Sequence, residues 1–365
     1  MMKNILKTIK SDAVLCAALC LAVLSCFFTK PGPEYLSYID GHTLILLFCL
    51  MLIMEGLREQ KVFLALGHGM LKKVTTQRGV TAVLVFLCFL SSMLITNDVA
   101  LITFVPFGIM ILEMADLHKK LCSVVTLMTI GANLGSMFTP IGNPQNLYLF
   151  SLSGMSLGEF LGMMLPYTAV SAVLLAAGIL LSSRKEKLEI HTEAPALENG
   201  KKTGIYLVLF FLCILTVAGI VPHGLLLAVV LAAVLLINPR SLGRVDYTLL
   251  FTFLFFFIFV GNIRQIQALQ AGIGGILAGR ERLVSVAVSQ IISNVPAAML
   301  LSGYTHNVRE LIVGTNIGGL GTLIASMASL ISYKQIANWY PGAKRRYLLV
   351  FTGANVIFLA ALCWL

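Results

Sequence analysis

The chain has 365 residues, 58% of them hydrophobic and only 12% charged, with a formal net charge of +10. Its mean hydropathy of +0.92 excludes an ordinary soluble domain, which carries about twice that share of charge. The positive charges lie in short connections between apolar runs, as the positive-inside bias requires, and leave no soluble basic domain to hold a nucleic acid.

Apolar runs of about 15 to 25 residues, the length that spans a bilayer as helix, recur throughout. They are continuous rather than alternating, which excludes a transmembrane β-barrel and predicts an all-α polytopic membrane protein. In chain order, spans are expected over about 12–29, 42–57, 157–183, 204–221, 224–238, 247–262 and 347–364. Segments 121–150 and 309–333 are apolar but broken by Gly, Asn, Ser and Thr, and 79–115 and 283–307 rise to a polar centre and fall again. With the broken segments crossing and the polar-centred ones returning, the chain has about nine spans plus two hairpins. The first run follows Lys3, Lys7 and Lys10 and has the layout of a signal peptide, but it is long enough to span and is read as a span.

Charge placement tests this arrangement. Lys3, Lys7 and Lys10 put the N-terminus in the cytoplasm, and Arg58, Lys61, Lys72, Lys73 and Arg78 fall on the same side after two crossings. If both polar-centred segments re-enter, Lys119, Lys120, Arg184, Lys185, Lys187, Lys201, Lys202, Arg240, Arg244, Lys344, Arg345 and Arg346 also fall inside, and the C-terminus ends outside. Counting either segment as a full span inverts everything after it. The expected location is a bacterial-type inner membrane.

The two halves echo each other. "EGLREQ" (Glu55–Gln60) pairs with "GNIRQI" (Gly261–Ile266), "TNDVA" (Thr96–Ala100) with "SNVPA" (Ser293–Ala297), and "GANLGSMFTPIG" (Gly131–Gly142) with "GTNIGGLGTLIA" (Gly314–Ala325). The order is the same in both halves, and the run 204–221 has no counterpart. The reading is two inverted-topology repeats, 1–183 and 222–365, joined by a cytoplasmic linker 184–203 and a connecting helix 204–221. In such proteins the site lies at the repeat interface near the midplane.

Irregular backbone at membrane depth is tolerated only where it is buried in protein or lines a wet cavity. The breaks supply amides, hydroxyls and freed carbonyls, which suit Na⁺ and other hard cations rather than thiophilic metals. At the polar tips, Asn97 or Asp98 and Asn294 are expected to cap helices whose N-termini attract anions. Asp98 itself needs a reason, because a charge at membrane depth costs about 2.5–3.5 kcal/mol on insertion scales. Arg58 and Arg264 read as residues at membrane edges. Seven of the eight cysteines lie within apolar runs and Cys122 near the start of one, with no C-x-x-C pair; they read as small apolar residues. No His-Glu-x-x-His, Gly-x-Ser-x-Gly or phosphate-cradling loop is present, so an enzyme is not expected.

At "TNDVALITFVP", "GANLGSMFTPIGNPQN", "SNVPAAML" and "GTNIGGLGTLIASMASLISY" the chain resembles the ion transporter superfamily. That group comprises divalent-anion/sodium symporters, citrate–metal transporters, arsenite efflux permeases and a class of sodium/proton antiporters. The resemblance covers about residues 42–335. It implies re-entrant hairpins, unwound helices and an elevator-type movement against a dimeric scaffold. It also implies one cation site at Asn97, Gly131 and Asn133 and another at Asn294, Gly314 and Asn316, tentatively for Na⁺. Substrate is implied near Thr96, Asn97, Asp98, Thr139, Ser293, Asn294 and Thr322. The divalent-anion branch typically has Thr as the third tip residue; here Asp98 and Val295 stand there, which leans toward the arsenite and antiporter branches. The expected function is secondary transport of a small anion, a di- or tricarboxylate or similar, coupled to Na⁺ or H⁺, with no other cofactor. The alternatives are Na⁺/H⁺ exchange through Asp98 and arsenite efflux. The expected partners are a small anionic substrate, the lipid bilayer and a second copy of the chain.

Overall fold

A computed structural model describes residues 13–72, 74–188 and 198–365. Lys3, Lys7, Lys10 and Lys73, and linker residues 189–197, lie outside the described residues. The described chain is helical, with no strand; an isolated antiparallel bridge joins Thr76 to Lys187.

The first half runs α1 (Ala13–Ser25), α2 (Tyr35–Tyr38), α3 (Gly41–Glu59), α4 (Val62–Leu71), α5 (Gln77–Ser91), α6 (Asn97–Met114), α7 (Leu121–Ser136), α8 (Pro144–Ser153) and α9 (Leu157–Ser182). Helix α10 (Gly200–Val217) follows. The second half runs α11 (His223–Ile237), α12 (Tyr247–Arg264), α13 (Gln267–Leu277), α14 (Glu281–Ile292), α15 (Asn294–Leu301), α16 (Val308–Ile317), α17 (Met327–Trp339) and α18 (Lys344–Cys363). Apart from the single turn α2, each half has eight α-helices among the described residues.

Among the described residues, six helices are long and apolar enough to cross a membrane: α3, α6, α9, α10, α12, and α18 with the turn before it. Exposed Leu181, Val208, Leu236, Leu349 and Ile357 on their faces and on α11 are what lipid contact requires, since in a bilayer such groups need no protein cover. The expected spans 12–29 and 224–238 form shorter helices, α1 with 13 residues and α11 with 15. The basic turns after α3 and α12 each contain a further short helix, α4 and α13, which sequence reading passed over.

Helix starts follow local chemistry. Asp40 accepts from Thr43 N at 3.1 Å and Asp246 from Leu249 N at 3.2 Å, capping α3 and α12 at equivalent places. Ser156 and Glu159 form a capping box at α9. At the two tips the helix starts depart from expectation. Thr96, not Asn97, caps α6 by accepting from Val99 N at 3.4 Å. Ser293 precedes α15 and makes no side-chain cap bond. Both expected breaks occur, at residues 140–144 and 318–321, but they begin after the first glycines of each segment. Gly131 lies inside α7, which continues to Ser136, and Gly314 lies inside α16, which continues to Ile317.

Packing places the broken helices at the centre. Every residue of α7 except Ser123 is buried. Helix α5 packs on α7, and α14 packs on α16. These contacts explain Gly131 and Gly314: an added Cβ would stand 3.1 Å from the carbonyl of Val85 and 2.6 Å from that of Arg282. The halves interlock, with α17 on α6 and α7, α8 on α15 and α16, α12 on α1, and α11 on α3.

Candidate functional site

Two polar clusters form where the halves cross. In the first, Asn97 Nδ2 donates to Asn133 Oδ1 at 3.1 Å, Ser326 Oγ donates to the same oxygen at 3.1 Å, and Asn133 Nδ2 donates to Ser329 Oγ at 3.3 Å. A tip and a broken helix of one half thus meet the residues just past the break of the other. In the second, Asn143 Nδ2 donates to Asn316 Oδ1 at 2.9 Å, and Asn316 Nδ2 donates to Asn146 Oδ1. The backbone N–H of Asn294 donates to the carbonyl of Ala325 at 2.9 Å, and a Cβ on Gly319 would stand 3.0 Å from Asn294 Nδ2. All of these asparagines are buried. Buried amides are stable only when bonded, which the two networks achieve.

The tips differ in strain. Thr96 has an extended backbone at φ −65°, ψ 151°. Ser293 stands at φ 76°, ψ 154°, a region essentially reserved for glycine, with a cost of about 1–3 kcal/mol. Its hydroxyl donates at 3.4 Å to Asn294 Oδ1 and to the carbonyl of Ala325.

A cavity of about 380 Å³ opens beside the first tip. Its walls come from the last half of α3, the start of α6, the break before α8, residues 244–249 and α17. The lining is mostly apolar, with Glu55, Arg58, Asp98, Arg244, Asp246 and Lys334 as its charged members. Arg58 lies 3.1 Å from Glu55 and contributes to the lining. Arg244 is ion-paired to Glu55 at 3.4 Å and also to Glu59. Asp246 caps α12. Two charged groups then remain: Asp98, whose buried Oδ1 has no hydrogen-bond partner, and Lys334, which has no ion-pair partner among the described residues.

A second cavity, about 510 Å³, is lined by Asp40, Tyr148, Arg264 and Met299 among others. Arg264 donates to the carbonyls of Ser302 at 2.8 Å and Gly303 at 3.2 Å, closing the C-terminal end of α15. One cavity joins the end of α3 (Arg58) to the start of α12 (Asp246); the other joins the start of α3 (Asp40) to the end of α12 (Arg264). The two helices therefore run antiparallel past the centre.

A family model described as Citrate transporter matches residues 2–310. The chain belongs to the citrate transporter family. It is a membrane transporter. Among its relatives, the inner membrane protein YbiR of Escherichia coli is 30% identical over 90% of this chain and 89% of its own. An uncharacterized transporter of Methanocaldococcus jannaschii is 34% identical over 82% of each chain. An uncharacterized transporter of Mycobacterium tuberculosis is 24% identical over 80% of this chain and 78% of its own.

In this citrate transporter family member, the residues expected at the substrate are distributed unequally. Thr96 and Asp98 line the first cavity; Asn97 is turned into the first cluster; Ser293 and Asn294 face the second break. Thr139 and Thr322 do the same job in each half: each hydroxyl donates to the carbonyl of the residue three before the tip, Met93 and Gln290 respectively. They fasten break to tip. Five of the six expected cation ligands carry hydrogen bonds: Asn97 Oδ1 accepts from Asp98 N, Asn133 Oδ1 from two donors, Asn294 Oδ1 from Ser293, Asn316 Oδ1 from Asn143, and the carbonyl of Gly314 from Gly318 N. No group of three or more His, Cys, Asp or Glu among the described residues is arranged to hold a metal ion.

Sequence reading did not single out Lys334, Gln290, Ser329 or Glu55. Lys334 carried a usable signal, because it is the sole charge in the helix MASLISYKQIANW.

Proposed function

We propose that this protein is a secondary active transporter that carries a small organic anion, of the di- or tricarboxylate class, coupled to a gradient of H⁺ or Na⁺. The first cavity carries this reading. It is concave and mostly apolar with a few convergent polar groups, as small-molecule sites are, and its one cation without a carboxylate partner, Lys334, stands ready for an anion. The name of the family and of its transporter relatives supports the same reading.

The repeats supply the means of moving it. The eight α-helices that each half shows among the described residues, the cross-packing of α11 on α3 and α12 on α1, and the antiparallel course of α3 and α12 support two inverted repeats with the site between them. In this reading α5–α6 and α14–α15 are re-entrant hairpins whose tips meet near the substrate. The core they form with the broken helices moves as an elevator against a dimeric scaffold. The lysine- and arginine-rich connections support a cytoplasmic opening for the first cavity in an inner membrane.

Asp98 favours a second reading, cation/proton exchange. A buried carboxylate oxygen without a partner, in a cavity open to water, is a group that takes and gives up protons.

The test is uptake of labelled citrate and labelled succinate into proteoliposomes under an imposed pH or Na⁺ gradient. Accumulation above empty liposomes, collapsed when the gradient is dissipated, is expected. Uptake equal to empty liposomes for both compounds under both gradients removes the substrate class. Vesicle acidification on adding Na⁺, without carboxylate uptake, favours the exchanger.

A further inference from the structure

Backbone breaks at membrane depth free main-chain carbonyls that must find donors. At the second break one side chain collects them. Gln290 Nε2 donates to the carbonyls of Gly318 at 2.9 Å and Leu320 at 3.0 Å, and it stands 3.2 Å from the carbonyl of Val286 one turn back in its own helix. Its other end is pinned, because Gln290 Oε1 accepts from the backbone N–H of Thr322 at 2.9 Å. That bond fixes which end of the amide faces the carbonyls. The loop closes tightly on it: Gly321 has φ 103°, and a Cβ there would stand 2.2 Å from Gln290 Oε1.

The first break uses a different residue for the same purpose. Asn146 Nδ2 donates to the carbonyls of Met137 and Thr139 at 3.2 Å each and of Ser136 at 3.4 Å. Its Oδ1 accepts from Asn316 Nδ2, and Asn316 is itself oriented by donating to the carbonyl of Ile312 at 2.7 Å.

An amide nitrogen ringed by three carbonyl oxygens fills the place of a hard monovalent cation. The same dipoles converge, and the N–H groups supply the positive charge. Each carbonyl keeps a second lone pair, but an N–H aimed into the ring opposes a cation there. We infer that Gln290 and Asn146 are built-in replacements for a bound cation at the two breaks, which hold their shape without Na⁺. At these six carbonyls the amides therefore leave no place for Na⁺, and the ligands implied by the family resemblance, Asn97, Gly131, Asn133, Asn294, Gly314 and Asn316, contribute none of them. The inference bears on the ion that drives the proposed transport, but it concerns binding to the folded chain and is tested without transport.

The experiment is thermal unfolding of the purified full chain in detergent, titrated with NaCl against choline chloride at constant ionic strength, with labelled-Na⁺ binding alongside. A ligand that binds only the folded state raises its apparent stability. Wild type should show no saturable Na⁺-specific rise. Gln290→Leu should unfold about 2–4 °C lower, and Na⁺ should not restore it. Gln290→Glu puts a carboxylate among the carbonyls and should unfold lower in choline than in Na⁺ at alkaline pH. A saturable Na⁺ stabilisation of wild type that persists in Asp98→Asn would overturn the inference. One that vanishes in Asp98→Asn places the ion at the tip carboxylate and leaves the inference standing. The wild-type titration decides even if a variant fails to fold. Absence of uptake of any carboxylate would count against the transporter reading and leave these binding outcomes unchanged.

Discussion

Asn143 donates its side-chain amide to Asn316 Oδ1 at 2.9 Å, across 173 positions of sequence. This bond ties the break before α8 to the end of α16, so one half's irregular backbone is held by the other half's broken helix. Both residues are buried, and Asn143 also accepts from Asn146 N at 2.9 Å as the cap of α8. Asn143→Leu removes the cap and leaves Asn316 Oδ1 without its donor. The expected loss is about 2–3 kcal/mol, from a cap and one unsatisfied buried group. Thermal or denaturant unfolding in detergent measures it; an unchanged midpoint would mean that the two breaks are not mechanically joined.

Lys334 should set affinity for the anion. A charge-assisted hydrogen bond contributes about 1.5–3 kcal/mol, so Lys334→Met should raise the half-saturation concentration roughly tenfold or more. Folding should be unaffected, because no ion pair is lost among the described residues. Lys334→Arg should recover part of the affinity. Saturation curves from uptake at fixed gradient give the comparison, and equal half-saturation in wild type and Lys334→Met would remove the lysine from the site.

Asp98 should carry the pH dependence of transport. The charged groups lining its cavity are Glu55, Arg58, Arg244, Asp246 and Lys334, of which Glu55 and both arginines are ion-paired and Asp246 caps a helix. Asp98→Asn keeps the shape and removes the titrating proton. Initial uptake rates from about pH 5.5 to 8.5 should vary in wild type and flatten in the variant. Equal pH profiles would assign coupling elsewhere.

Ser293→Gly should relax the second tip. Serine pays about 1–3 kcal/mol for its backbone geometry, while glycine adopts it freely and gives back part of that through its larger unfolded-state entropy. A net gain of about 1 kcal/mol is expected. Thr96→Gly at the other tip should destabilise instead, because φ −65° favours no glycine and the cap on Val99 N is lost. Paired unfolding curves check both signs.

Much of this architecture is legible in the sequence because a bilayer simplifies the rules. Apolar length reads out helices, and Pro140, Pro144 and the Gly318–Gly321 run read out breaks. The paired motifs are legible too, since Thr139 and Thr322 perform one role in both halves. What escapes is set by distant packing. Gly131 and Gly314 look like unwound backbone from sequence, yet they are regular helix made thin so that α5 and α14 approach closely. The ion pair of Glu55 with Arg244, 189 positions away, is hidden in the same way, and it builds the cavity wall that Arg58 shares. Gln290 lies three residues before a tip, and only the fold brings the carbonyls of Gly318 and Leu320 to it.

The most direct test of the central claim is solute counterflow in proteoliposomes. Vesicles loaded with unlabelled citrate or succinate are diluted into a trace of the labelled compound with no ion gradient imposed. Counterflow needs only a carrier that exposes one anion site alternately to each side, whatever the coupling ion. The account predicts transient accumulation of label for at least one of the two compounds, weakened by Lys334→Met. Label that never exceeds the level in empty liposomes, for either compound, would contradict it.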